Sequence, residues 1–174
     1  EQMHFAYGNF LENPANNLNK KSAAGTLPIA LMEKTKLAEL VNQAEQDSLV
    51  PDQLVPELQL LPWQAGQWTL FVELDPESFS PPAARCLLRY GASEGCCCSL
   101  ANLKITLECL LAENPDFPVT FRAFLSPEIQ ASADFSLDEQ VPANLQELSD
   151  INTADYFAVM SLQHSQGNII NLLQ

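Results

Sequence analysis

SLANLKITLECLLAE, residues 99–113, is the longest sustained apolar pattern in the chain and decides its architecture. As a strand, the stretch alternates, with Leu103, Ile105 and Leu107 on one side and polar residues on the other. As a helix, it carries a single apolar stripe at spacings of three and four residues. The members of that stripe are Leu100, Leu103, Leu107, Leu110 and Leu111. Periodicity alone therefore fits both structures.

The length and the ends of this stretch favour a helix. Strands usually run about 4–8 residues, whereas helices run at least about 10–12. Ser99 is a suitable N-cap, because its hydroxyl can accept a hydrogen bond from an exposed helical N–H. Asn114 precedes Pro115, and a residue before proline is displaced from helical backbone angles. We therefore predict a helix over residues 99–113.

The remaining patterns predict an α+β fold, with a mixed sheet of about four to five strands covered by two main helices. The elements are strands near 67–74, 85–90, 119–125 and 155–162, helices near 28–46 and 99–113, a brief strand at 134–137 and a weak helix at 139–148. A three-layer α/β fold is an alternative, as is a mainly antiparallel β fold if residues 99–113 are extended. We expect an irregular N-terminal arm over residues 1–25 and a single globular domain over residues 26–174.

The chain is strongly acidic, with 22 Asp and Glu residues, 8 Lys and Arg residues and a formal net charge of −14. No Lys or Arg follows Arg122. Nucleic acid is not an expected partner, because lysines and arginines must displace the counterions of phosphates. The late carboxylates form either a solvated face or a docking face for another protein with a basic surface. The candidate partner-binding residues are Asp134, Asp138, Glu139, Glu147, Asp150 and Asp155.

The cysteines indicate a reducing, cytoplasmic setting. Cys96, Cys97 and Cys98 are consecutive, a poor arrangement for disulfides because adjacent side chains point in different directions. The spacing also lacks the two-residue gaps of ordinary structural zinc sites, so we expect no metal and no other cofactor. We interpret the cysteines as small apolar side chains, with thiol redox or metal chemistry at Cys96–Cys98 as the alternative. No run approaches the ~20 apolar residues of a membrane span, so no membrane partner is expected.

The one catalytic motif is Gly91-Ala92-Ser93-Glu94-Gly95, which satisfies the G-x-S-x-G pattern of a nucleophile elbow. That chemistry requires a strand, then the motif, then a helix, so that the serine stands exposed at a sharp turn. In this hypothesis Ser93 is the nucleophile and His164 the base, oriented by Asp150 or Asp155. The alternative is an ordinary turn, a role that glycine and serine fill readily.

The sequence as a whole favours an intracellular protein-interaction domain, adaptor or chaperone-like, with no catalytic activity. The acidic C-terminal third supports this prediction, as does the lack of a dense catalytic cluster. Phosphate-binding, dinucleotide-binding, zinc-protease and EF-hand motifs are all missing from the sequence. A small serine hydrolase that uses Ser93 is the alternative function.

Overall fold

The computed structural model describes residues 2–7, 29–74, 84–113, 120–132, 135–146, 149–161 and 171–173. Residue contacts divide the chain into two compact units, Glu1–Pro56 with Gln166–Gln174, and Glu57–Ser165. Residues 3–7 of the expected irregular arm form a strand, and most of the rest of residues 1–25 lies outside the described residues. The proposed division into an arm of residues 1–25 and a single domain of residues 26–174 stays a prediction.

The first unit contains two antiparallel strands, β1 (Met3–Tyr7) and β2 (Ile29–Glu33), followed by helix α1 (Lys34–Gln46). The helix that we predicted near residues 28–46 therefore begins later, at Lys34. The reason is that residues 29–33 direct their backbone hydrogen bonds to β1. A small apolar cluster in this unit joins Leu172 to Ala30, Met32 and Leu54.

The second unit is built on a mixed five-stranded sheet with the strand order β5-β4-β3-β6-β7. Its strands are β3 (Gln67–Leu74), β4 (Ala84–Arg89), β5 (Gly95–Ser99), β6 (Thr120–Leu125) and β7 (Ser149–Thr153). Strands β3, β4 and β5 form an antiparallel meander, whereas β6 and β7 run parallel to β3. The predicted α+β class with a mixed sheet is confirmed.

The helix predicted over residues 99–113 is confirmed from residue 100: α2 spans Leu100–Glu113 and directly follows β5, whose last residue is Ser99. Leu103 and Leu107 of α2 are fully buried against one face of the sheet, beside Leu70 and Phe121. We call this face the α2 side. A run of this length buries a stripe of leucines better as a helix lying across the strands than as one more strand.

The opposite face of the sheet is covered by helix α6 (Tyr156–Ser161) and the 3-10 helix Glu57–Leu60, and we call it the α6 side. The predicted strand at 155–162 is therefore wrong. Val159 and Met160 of α6 are buried against Phe71 and Phe124, in a stripe that helical spacing produces. The Asp155 carboxylate accepts a hydrogen bond from the Ala158 N–H at 2.8 Å and so caps the helix.

The region between β6 and β7 contains three short helices, α3 (Pro127–Gln130), α4 (Leu137–Gln140) and α5 (Ala143–Gln146). The strand predicted at 134–137 is wrong at Leu137, which begins α4, and Asp134 lies outside the described residues. The single helix predicted at 139–148 is interrupted. Val141 is extended because it precedes Pro142, so α4 ends there and α5 begins after the proline.

Candidate functional site around Phe157

A polar network on the α6 side joins four side chains from separate elements. The Tyr156 hydroxyl donates to Glu57 Oε1 at 2.7 Å. Arg85 Nη2 donates to the same Glu57 oxygen at 2.7 Å, and Arg85 Nε donates to Glu73 Oε1 at 2.7 Å. The network therefore ties α6 and the 3-10 helix to the adjacent strands β3 and β4.

The network favours the charged form of Arg85 and the neutral form of Tyr156. Burial lowers the pKa of Arg85, but its hydrogen bonds to Glu73 and Glu57 and the charges of both carboxylates outweigh burial and raise the pKa overall. Burial and the hydrogen bond to Glu57 raise the pKa of Tyr156, so its hydroxyl remains a donor at neutral pH. One guanidinium faces two carboxylates, which leaves the group with a net negative charge.

Phe157 is the exposed aromatic residue that this network supports. Its side chain is 81% exposed. The Phe157 ring packs edge-on against the Tyr156 ring, with centroids 5.4 Å apart and an interplanar angle of 89°. Because Tyr156 is held by Glu57 and the helix is capped by Asp155, Phe157 is presented in a defined position. Exposed aromatic side chains are enriched at protein–protein interfaces, so Phe157 with its nearby carboxylates is a candidate binding residue.

The predicted acidic residues do not all lie on one side of the sheet. Asp150 pairs with Arg122 at 3.5 Å, and Arg122 lies over Phe124, whose ring belongs to the α6 side. Asp155 begins α6 and shares that side. Asp138 and Glu139 instead lie on α4, whose Leu137 packs on the α2 side. Asp134 and Glu147 lie outside the described residues.

The Gly91–Gly95 motif forms the turn of the β4–β5 hairpin. The N–H groups of Tyr90 and Gly91 both donate to the Glu94 carbonyl, at 3.1 Å and 3.2 Å. Strand β5 follows this turn, so a strand–motif–helix context is not found in the part of the chain that the structure describes. The Ser93 Oγ is buried and has no hydrogen-bond partner among the described residues. His164, the proposed base, lies outside them.

The buried Arg89 stabilises this turn through hydrogen bonds to its carbonyl groups. Arg89 is 4% exposed, and its guanidinium donates to the carbonyls of Gln59, Leu61, Gly91 and Ala92. Burial lowers the pKa of Arg89 to about 10, yet the group stays charged at neutral pH. The turn is thus held by hydrogen bonds from a charged guanidinium to backbone carbonyls, which are stronger than bonds between neutral groups.

Two of the cysteines, Cys86 and Cys96, are held in the unreactive thiol form. Burial, together with the neighbouring thiols Cys98 and Cys97, raises the pKa of Cys86 and raises the pKa of Cys96 to about 11. These two groups are therefore thiols at neutral pH, and the thiolate is the reactive species. Across residues with assigned positions, no group of three or more His, Cys, Asp or Glu side chains could hold a metal ion. No helix among them is long and apolar enough to cross a bilayer.

Phe157 was not among the candidates predicted from the sequence, because the strand predicted at 155–162 placed it on one face of a sheet. The available signal was the spacing of Tyr156, Val159 and Met160, which fits a helix and leaves Phe157 on its outer face. Glu57 and Arg85 carried no comparable signal. They lie 28 residues apart and meet only because the 3-10 helix packs beside β4.

No protein-family model matches the sequence, and no curated protein matches it. Among solved structures, the fold is similar to the cytoplasmic domain of EpsL from Vibrio cholerae, an inner membrane component of the type II secretion system. The two chains are 12% identical, with a TM-score of 0.62. The similarity covers 100% of this chain and 62% of that chain, so this chain spans less than two thirds of its neighbour's length. At this identity the likeness is one of fold.

Proposed function

We propose that this chain is a non-catalytic, adaptor-like protein-interaction domain that docks a basic partner protein on its α6 side. The observation that carries the proposal is its fold likeness to the cytoplasmic EpsL domain, which belongs to a multi-component secretion system. By the same likeness, we propose a cytoplasmic location and a role within a larger assembly. Function does not follow from fold alone, and the proposed binding surface depends on the side chains of the α6 side.

Phe157 supplies the apolar anchor of the proposed surface. Interface hot spots are enriched in large side chains that fill a pocket on the partner, and aromatic residues lose little conformational entropy on binding. The ring stands 81% exposed, but its neighbour Tyr156 is already held by Glu57. Little further ordering of this part of the surface is therefore needed on binding.

Carboxylates supply the charge that selects the partner. Asp155 lies two residues before Phe157, and Asp150 lies on the same side of the sheet, 63% exposed. Glu57 and Glu73 add a net negative charge behind the ring. A partner with Lys or Arg around an apolar pocket complements this arrangement, and such pairing accelerates encounter and fixes orientation.

Site-specific photo-crosslinking tests the proposal. The photoreactive residue p-benzoyl-phenylalanine is placed at position 157 and, as a control on the α2 side, at position 130, where Gln130 is also exposed. We expect one discrete protein adduct from position 157 and none from position 130. Equal adducts from the two positions, or none from either, would contradict the proposal.

A charge variant separates the electrostatic part of the proposal from folding. Asp155→Ser removes the carboxylate but keeps a side-chain oxygen that can cap α6. Combined with Asp150→Asn, it is expected to weaken the adduct from position 157 while leaving the melting temperature nearly unchanged. Raising the ionic strength from 0.1 M to 1 M, where the screening length falls from about 10 Å to about 3 Å, should weaken it too.

A further inference from the structure

An open apolar groove lies on the α2 side of the second unit, between α2 and the hairpin of β4 and β5. Its volume is about 340 Å³. It is lined by Tyr90, Cys96, Ile105, Thr106, Cys109 and Leu110. The groove shares no residue with the Phe157 network, which covers the other face of the sheet.

The groove walls offer apolar contact and little hydrogen bonding. Ile105 is 55% exposed, although it is a large aliphatic residue. The Thr106 hydroxyl donates to the Asn102 carbonyl at 2.8 Å, which satisfies its donor within the helix. Tyr90 is supported from beneath by Trp68, with ring centroids 6.3 Å apart. The walls therefore suit an apolar side chain, and the ring of Tyr90 is a firm surface for it.

The rim of the groove is negative. Glu113 follows Cys109 by four residues and so lies on the same stripe of α2 as the groove wall. Glu94 lies in the adjoining turn, and both carboxylates contribute, after burial and Cys96, to raising the pKa of Tyr90. Lys104 is the single cationic residue of α2, and helical spacing places it on the opposite flank from Thr106 and Glu113. No charge on α2 therefore offsets the carboxylates at this rim.

We propose that this groove binds a segment of a partner protein that carries one bulky aliphatic or aromatic side chain flanked by Lys or Arg. The apolar side chain enters between Ile105 and Tyr90, and the flanking cations meet Glu94 and Glu113. An open groove with charge at its rim suits a peptide segment, whose backbone remains at the surface, better than an enclosed small molecule. This inference is independent of the Phe157 surface.

Fluorescence anisotropy with three labelled nonapeptides tests the inference. The first has a central leucine with two lysines on each side in a Ser/Gly background, the second replaces the lysines with glutamates, and the third replaces the leucine with serine. We expect the first peptide to bind the full chain at least tenfold more tightly than either of the others. Equal binding of the first two peptides, or no measurable binding of the first, would overturn the proposal.

Matched variants of α2 locate the binding. Glu113→Gln should weaken binding of the lysine–leucine peptide at least threefold, whereas Glu108→Gln, an equal change of charge on the other flank, should not. Thr106→Arg should weaken binding at least tenfold by filling the groove with a cation. Ile105→Ser should also weaken binding, and it carries little risk to folding because Ile105 is half exposed. Gln130→Ser, which changes an exposed residue outside the groove, should leave this peptide's affinity unchanged. An equal loss in Glu113→Gln and Glu108→Gln, or unchanged affinity in both groove variants, would place binding elsewhere.

Discussion

The Tyr156 hydroxyl donates to Glu57 Oε1 at 2.7 Å, across 99 residues of sequence. This single contact joins the helix that presents Phe157 to the 3-10 helix, and through Arg85 to the adjacent strands β3 and β4. The exposed ring is therefore linked to the sheet through its contact with Tyr156. Its position depends on side chains that are themselves half-buried and charged.

Tyr156→Phe removes the donor of this contact and little else. We expect the free energy of unfolding to fall by about 1 kcal/mol, since the hydrogen bond has a charged acceptor but is partly open to solvent. Urea denaturation measures the change. Tyr90→Phe is the control, because Tyr90 lies on the opposite face of the sheet, where its ring contacts Trp68. A loss that is equal in both variants would show that the hydroxyl of Tyr156 contributes nothing specific.

Arg85→Met leaves Glu57 and Glu73 as two half-buried carboxylates with no cation between them. Removing one partner of such a group costs about 2 kcal/mol, because the remaining charges keep their desolvation penalty. The Lys36–Glu39 pair is the comparison, with both side chains more than half exposed at 62% and 69%. Lys36→Met should change stability by less than about 0.5 kcal/mol. Similar losses in the two variants, measured by urea denaturation, would contradict the assigned role of Arg85.

Stability should decline at alkaline pH. Burial raises the pKa of Cys96 to about 11, and the pKa values of Cys86, Tyr90 and Tyr156 are also raised. An acidic group whose pKa is raised by folding stabilises the folded state fully at any pH below the pKa that the group has in the unfolded chain, about 8.5 for cysteine. This stabilisation is lost as the pH rises through the higher pKa of the folded state. We expect the melting temperature, under reducing conditions, to fall by on the order of 5 °C between pH 8 and pH 10.5.

Two alanine variants show how much of this fall in melting temperature at alkaline pH comes from the cysteine thiols. Cys96→Ala should reduce the slope of melting temperature against pH, whereas Cys109→Ala, which removes an exposed thiol, should not. A melting temperature that stays constant up to pH 10.5 would mean that burial of these groups is not maintained in solution.

Ser93→Ala should be neutral or stabilising. The Ser93 hydroxyl oxygen is buried without a hydrogen-bond partner among the described residues, so its removal is expected to change the free energy of unfolding by between zero and about 1 kcal/mol in the stabilising direction. A fluorophosphonate probe should leave Ser93 of the folded protein unlabelled, because the probe requires an exposed, activated hydroxyl. Labelling at Ser93, found by mass spectrometry, would restore the hydrolase hypothesis.

The sequence was sufficient for the parts of the fold that depend on long, regular patterns. Residues 99–113 were correctly predicted as a helix by length, and 67–74 as a strand by the alternation of aromatic and branched side chains. The helix at 156–161 was missed because six residues with apolar side chains on both faces fit either period. Strand β2 was missed because its extended form depends on pairing with β1, which a local pattern does not reveal.

The site was less accessible to sequence reasoning than the fold. Counting carboxylates after Arg122 identified Asp150 and Asp155, which share the α6 side, but also Asp138 and Glu139, which lie on the α2 side. Sequence distance does not indicate which face of a sheet a residue occupies. The contact between Tyr156 and Glu57 arises from packing of the 3-10 helix beside α6, and neither residue belongs to a motif.

The central claim is tested most directly with the partner that crosslinks through position 157. The measurement is the affinity of this partner for a Phe157→Ser variant. The partner is purified, and its dissociation constant is measured by calorimetry for the unchanged chain, for Phe157→Ser and for the control Gln130→Ser. Truncating a hot-spot aromatic typically costs about 2 kcal/mol or more, so Phe157→Ser should raise the dissociation constant by about thirtyfold while Gln130→Ser leaves it unchanged. An unchanged dissociation constant for Phe157→Ser, with an unchanged melting temperature, would contradict the claim that the α6 side is the docking surface.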